Sequence, residues 1–243
     1  MKKQYKPMGL SHTINSSQVA KIWGINMIHW ARSRRFDAHL APLEYYEYCC
    51  HQASVDGLWL EFGVCTGATI GHLSRNMVSL KKSKTMYGFD SFQGLPEDWH
   101  ADRARSFKKG ETFGTTPGVV PSVENCEMVV GLFEDTLPRF VKKNKKPISL
   151  IHIDCDLYSS TKTIFTHLEE FFVPGTIIMF DELINFKTFA EHEYRALKEF
   201  IRKTGFSFEF IAHTTGEQAA LRLLPPGFEL YNKFTPDNTT NTK

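Results

Sequence analysis

Two aspartates two positions apart, Asp154 and Asp156, close the apolar run "LIHIDCD". An Asp-x-Asp at the end of a buried strand can hold a metal, take a proton, grip a nucleotide-sugar or start a turn. Four other acids stand at comparable places. Asp181 and Glu182 close "IIMFDE", Glu61 closes "LWLEF", and Asp90 closes "TMYGFD". Glu61 is followed by a turn bracketed by Gly63 and Gly67, in the spacing E-x-G-x-x-x-G. Glycines there let a backbone approach a ligand lying over the next helix. The spacing is not the G-x-G-x-x-G of dinucleotide enzymes, and a carboxylate beside a pyrophosphate would repel it. A cationic ligand is favoured instead. S-adenosylmethionine carries an ammonium and a sulfonium and no phosphate, so Glu61 points to that cofactor over NAD. Asp90 lies 29 residues after Glu61, one strand–helix–strand step, and is placed to accept hydrogen bonds from ribose hydroxyls.

These acids need elements to carry them. From about Ser16 to Gly57 the apolar spacing is helical, giving an N-terminal cap or an arm for self-association. After Gly57 short apolar runs alternate with helical segments. Strands are predicted at 58–62, 85–90, 126–130, 148–154 and 175–182. "FAEHEYRALKEFIRKTG" reads as an amphipathic helix closed by Gly205, and "FSFEFIA" and "AALRLL" as antiparallel neighbours. This alternation predicts an α/β fold, a doubly wound, mostly parallel seven-stranded sheet that binds ligands beyond the carboxyl ends of its strands. The expected divisions are a helical cap at 1–56, the ligand-binding domain at 57–232 and a polar tail at 233–243. A polar stretch with several glycines, between Trp99 and Val123, has the length of a lid or substrate loop.

The bulk numbers exclude some classes. The 243 residues carry a formal net charge of +2, with 42% hydrophobic and 23% charged residues. Nothing in that balance calls for nucleic acid. The five cysteines, Cys49, Cys50, Cys65, Cys126 and Cys155, show no zinc or disulfide-framework spacing and read as free thiols. No apolar stretch follows the basic N-terminal residues and none is long enough for a membrane span, so a cytoplasmic protein is expected.

Taken together, "EFGVCTGATI", "GFDSFQGLPEDW", "GLFEDTLP", "IHIDCDLYSST" and "PGTIIMFDE" resemble the macrocin O-methyltransferase-like family, in the family's order and over roughly residues 57 to 223. The resemblance implies a class I, S-adenosylmethionine-dependent methyltransferase with a Rossmann-like fold, acting on a hydroxyl of a sugar or natural product. It assigns cofactor binding to Glu61, Gly63, Thr66, Gly67, Asp90 and Ser91, with Gly131 and Phe133 near the adenine. It assigns a divalent metal, Mg²⁺ in type, to Asp154, Asp181 and Glu182, and the general base to Asp156. The fifth-strand pair is Asp-Glu here, where several metal-dependent relatives have Asp-Asp. Relatives also self-associate through N-terminal segments.

The chemistry is consistent with that assignment. An alcohol is a poor nucleophile at neutral pH, and a cation that binds it, with a base to take its proton, makes methyl transfer feasible. Asp154 and Asp181 are one crossover apart, so their strands are expected side by side, and a dication would relieve the repulsion among such acids. His152 and His192 compete with Asp156 for the base role, although a histidine inside a buried strand is more often a core residue. The Tyr45, Tyr46 and Tyr48 set reads as packing. A metal-dependent glycosyltransferase is the rival reading of the Asp-x-Asp, and an amine acceptor is a further alternative. The expected partner is a small-molecule acceptor, with no nucleic acid and no membrane.

Overall fold

A computed structural model of the protein describes residues 33–38, 42–102 and 105–228. The strands are β1 (Arg34–Phe36), β2 (Leu58–Phe62), β3 (Met86–Asp90), β4 (Trp99–His100), β5 (Ser106–Phe107), β6 (Cys126–Val130), β7 (Ile148–Ile153), β8 (Ile177–Phe180), β9 (Ser207–Thr214) and β10 (Ala219–Leu224). The helices are α1 (Pro42–Gln52), α2 (Ala68–Ser79), α3 (Phe133–Lys143), α4 (Tyr158–Leu168) and α5 (Glu193–Thr204). One sheet runs β1-β9-β10-β8-β7-β2-β3-β6, and β4 and β5 form a separate two-stranded ribbon.

The central strands are continuous apolar runs because both faces are covered. Every residue of β2, β7 and β8 is buried. The pleat then sorts side chains by parity. Leu60, Phe62, Ile151, Ile153, Ile178 and Phe180 join the core that includes residues of α3, α4 and α5. Trp59, Leu150, Ile177 and Met179 join the second core, with residues of α1 and α2. In α5, Tyr194, Leu197 and Ile201 form the buried stripe, and Gly205 ends the helix in the left-handed region at φ 73°.

The parallel neighbours β7 and β8, and the β9–β10 hairpin, are as expected. The sheet has eight strands, not seven, because β1 pairs in parallel with β9 at the edge. Residues 34–36 are therefore extended and not part of a helical run. Three residues are too few to carry a period, so the pattern was not readable. The helix expected from Ser16 begins outside the described residues, as does the tail. Among the described residues no helix is long and apolar enough to cross a membrane.

Register fixes the site. In β2 and β7, Glu61 pairs with His152 and Phe62 with Ile153, and in β7 and β8, Ile153 pairs with Phe180. The ladder continues as the Asp154 N–H donates to the Phe62 carbonyl and the Asp181 N–H to the Ile153 carbonyl, at 2.9 and 3.0 Å. Glu61, Asp90, Asp154 and Asp181 therefore lie at the ends of four strands of one sheet.

Candidate active site

At the carboxyl edge lies a cleft of about 470 Å³, a size usual for small-molecule sites. Gly63 and Cys65 of the glycine turn line it, as do Asp90, Ser91, Gly131, Phe133, Asp154, Asp156 and Glu182. Eight of the residues singled out in the sequence thus share one cavity. Thr66, Gly67, Glu61 and Asp181 are not among its lining residues.

On the glycine-turn side, Asp90 is the organiser. Its Oδ2 accepts the N–H groups of Val64 and Cys65, both at 2.9 Å, and its Oδ1 accepts that of Phe92 at 2.8 Å. It locks the turn to the end of β3, and Oδ1 retains acceptor capacity toward the cleft. Gly67, at φ 82°, starts α2. A Cβ there would meet Val123 at 2.9 Å, so this glycine also serves packing. Gly131, at φ 134°, donates its N–H to the Asp90 carbonyl.

The other side is a nest of carboxylates. Burial raises the Asp154, Glu182 and Glu193 carboxyls well above their ordinary range, and neighbouring acids add to each shift. Asp156 is pushed up to about 7 by burial, then by Asp181, with the Arg105 guanidinium acting against them. Asp156 also holds a left-handed backbone at φ 62°, uncommon away from glycine and asparagine and frequent at functional sites. Asp181 accepts a hydrogen bond from Gln218 Nε2 at 3.1 Å.

Glu193 was missed in the sequence. It is fully buried, and its Oε1 accepts the Cys155 N–H at 3.4 Å. A signal was available, because Glu193 shares a helix face with Leu197, Phe200 and Ile201 and puts a charge into an apolar stripe.

The metal set expected from the sequence is divided. His152, Asp154 and Asp181 offer donor atoms all within 4.8 Å of one another. Glu182 is not in that group, since consecutive residues at a strand end project to opposite sides, and it lines the cleft instead. Glu61 is likewise turned from the cleft. It is fully buried on the side of α1 and α2, with its Oε2 3.4 Å from His152 Nδ1. Its parity in β2, shared with Trp59, places its carboxylate beside His152. Tyr46 packs edge-on to the same imidazole at 5.7 Å, so one of the tyrosines read as packing borders this group.

His192 does not line the cleft. Its Nε2 lies 3.2 Å from Thr188 Oγ1 and 3.3 Å from the His100 carbonyl. It helps fasten the strap that follows β3, whose Leu95, Trp99, Arg105, Phe107 and Phe113 cover the cleft. Arg105 clamps the strap to the β9–β10 turn through two hydrogen bonds to Glu217, at 3.0 and 2.8 Å, and a third to Asp102. Arg105→Ala is expected to free it and leave Glu217 half-buried without its partner, at a cost of about 1–3 kcal/mol. Limited proteolysis reads the result as faster cleavage between residues 102 and 113, and an unchanged rate would remove the clamp from the strap's stability.

The comparisons with known proteins agree with this architecture. The solved structure of calicheamicin methyltransferase CalS11 superposes with a TM-score of 0.63 at 19% identity, covering 91% of this chain and 99% of that one. Its apo form, described as a TDP-rhamnose 3'-O-methyltransferase, gives 0.56 at 19%, covering 87% and 88%. The O-methyltransferase NovP gives 0.58 at 20%, covering 76% and 81%. At such identities the likeness shows the fold. No curated protein sequence matches. A family model described as a methyltransferase domain matches residues 60–183, from β2 through the acids that follow β8. That segment is 124 of the 243 residues, more than half, and it holds every residue that lines the cleft. By that match the chain belongs to the methyltransferase-domain family.

Proposed function

We propose that the protein is an S-adenosylmethionine-dependent O-methyltransferase acting on a small molecule, with a sugar or natural-product hydroxyl as acceptor. One observation carries this reading. Gly63, Asp90, Ser91, Gly131 and Phe133 of the glycine-turn side and the acids Asp154, Asp156 and Glu182 line one cavity. Kinship with macrocin-type enzymes and the printed activities of CalS11 and NovP support the choice of acceptor.

The bound cofactor supplies an electrophilic methyl group on a sulfonium. The residues supply the remaining needs. Asp90 and the backbone at Gly63 and Gly131 fix the nucleoside end, and the strap excludes water. In the transfer, with the neutral thioether as leaving group, Asp156 would take the proton of the acceptor hydroxyl. Its place in the cleft wall, two residues after Asp154, puts its carboxyl beside the acceptor's space. Buried acids with unpartnered oxygens, including Glu182 Oε2, fit a divalent cation, with Asp154 and Asp181 as its primary carboxylates. Such an ion lowers the pKa of a bound hydroxyl.

Calorimetry tests the reading. S-adenosylhomocysteine is expected to bind with one-to-one stoichiometry and UDP-glucose is not. Binding of the nucleotide-sugar without S-adenosylhomocysteine would favour the glycosyltransferase and sink the proposal.

A further inference from the structure

We propose that the metal centre of this sheet edge is built on His152, Asp154 and Asp181, and that it selects a first-row transition-metal dication over Mg²⁺, with Glu61 positioning the imidazole. The convergence of three donors within 4.8 Å is the first observation. Ligands about 2.1 Å from a shared ion stand at most about 4.2 Å apart, so rotation of the side chains is enough to close the group.

The second observation is independent of the acids. His152 is completely buried, and neither ring nitrogen has a hydrogen-bond partner in the protein. A core histidine with a packing role would have its nitrogens satisfied, since a buried orphan donor or acceptor costs about 1–3 kcal/mol. Glu61, also completely buried, has this imidazole as its polar neighbour. A buried carboxylate beside a buried imidazole that converges on Asp154 and Asp181 is satisfied when the ring carries a cation. An ion on one ring nitrogen fixes the other as an N–H donor, and Glu61 Oε2 already stands 3.4 Å from Nδ1. This is the carboxylate–histidine–metal relay that orients an imidazole and raises its basicity.

Charge and softness give the ion. Glu61, Asp154, Asp156, Asp181, Glu182 and Glu193 act on one another here, and Arg105 is already committed to Glu217 and Asp102. A dication relieves that repulsion. An imidazole nitrogen in the donor set suits Zn²⁺, Fe²⁺ or Ni²⁺, whereas Mg²⁺ takes oxygen and keeps its waters. Asp154 belongs both to this group and to the cleft wall, which places the ion beside the acceptor's space. The inference rests on reading this edge as the metal centre of the proposed enzyme, but its readout is affinity. A protein that takes Zn²⁺ here and transfers no methyl group overturns the activity and leaves the site standing.

Metal-free protein is titrated separately with Zn²⁺ and Mg²⁺. The wild type is expected to take one Zn²⁺ at least about 100-fold more tightly than Mg²⁺. His152→Gln is expected to lose about tenfold or more in Zn²⁺ affinity, with Mg²⁺ affinity moved less than about threefold, and Glu182→Gln is expected to leave Zn²⁺ affinity within about threefold. Equal affinity for the two ions, an unchanged His152→Gln protein, or an equal loss in Glu182→Gln would each overturn the assignment. Should His152→Gln fail to fold, one equivalent of Co²⁺ on the wild type decides. A hyperfine-shifted imidazole N–H proton is expected in its NMR spectrum, and its absence rejects the histidine ligand.

Discussion

Replacing Asp154 with asparagine is expected to lower methyl transfer by about 10³-fold or more, while S-adenosylhomocysteine affinity stays within about threefold. Asp154 is the side chain common to the donor group and the cleft. Asparagine keeps its shape and removes its charge, so the loss reports electrostatics and not packing. The same change should stabilise the metal-free protein. Asp154 is held far above its usual carboxylate range by burial and by Asp181, Asp156, Glu61 and Glu193, and a neutral amide removes one member of that repulsion. Melting temperature and turnover should therefore move in opposite directions. Turnover close to wild type, with any hydroxyl acceptor that supports it, would show that the carboxylate wall is not catalytic.

The second large effect is on the fold. Gly63→Ala is expected to destabilise the protein by more than about 3 kcal/mol. A Cβ on Gly63 would stand 1.7 Å from the Asp154 carbonyl oxygen, a backbone atom that cannot swing aside, and the residue sits at φ 89°. Relief requires β7 to part from β2 just where Asp154 leaves the ladder. Urea unfolding measures the shift in midpoint, and any folded fraction should have lost its tight divalent binding. A midpoint within experimental error of wild type would mean that the turn relaxes freely.

The same glycine shows how far the sequence could be read. Its place after a strand ending in an acid was legible, and so were the strand order's parallel centre and the four acids at one edge, because period and punctuation are local. Its reason was not. A glycine demanded by a carbonyl 91 residues later in the chain looks the same as one demanded by a cofactor. Parity was the other hidden quantity. Glu61 and Asp181 read as cleft residues, yet the pleat turns them toward His152, and only register reveals which side a strand-end residue takes. His152 was set aside on base rates for buried histidines, which hold when a partner is present, and none was visible either way in one dimension. Glu193 was visible as a misplaced charge.

The antiparallel strand β10 lies between β8 and β9, so the last of the described strands to be made is an interior one. The turn before it delivers Gln218 to Asp181 and Glu217 to Arg105, and its Glu217 carbonyl accepts the N–H groups of Leu183 and Ile184. On the ribosome, residues 58–180 can pair in order of synthesis while this slot stays empty. The acidic edge of the sheet is thus completed by the β9–β10 hairpin, and a chain made or clipped short of it would hold its acids in sequence without yet holding them in place.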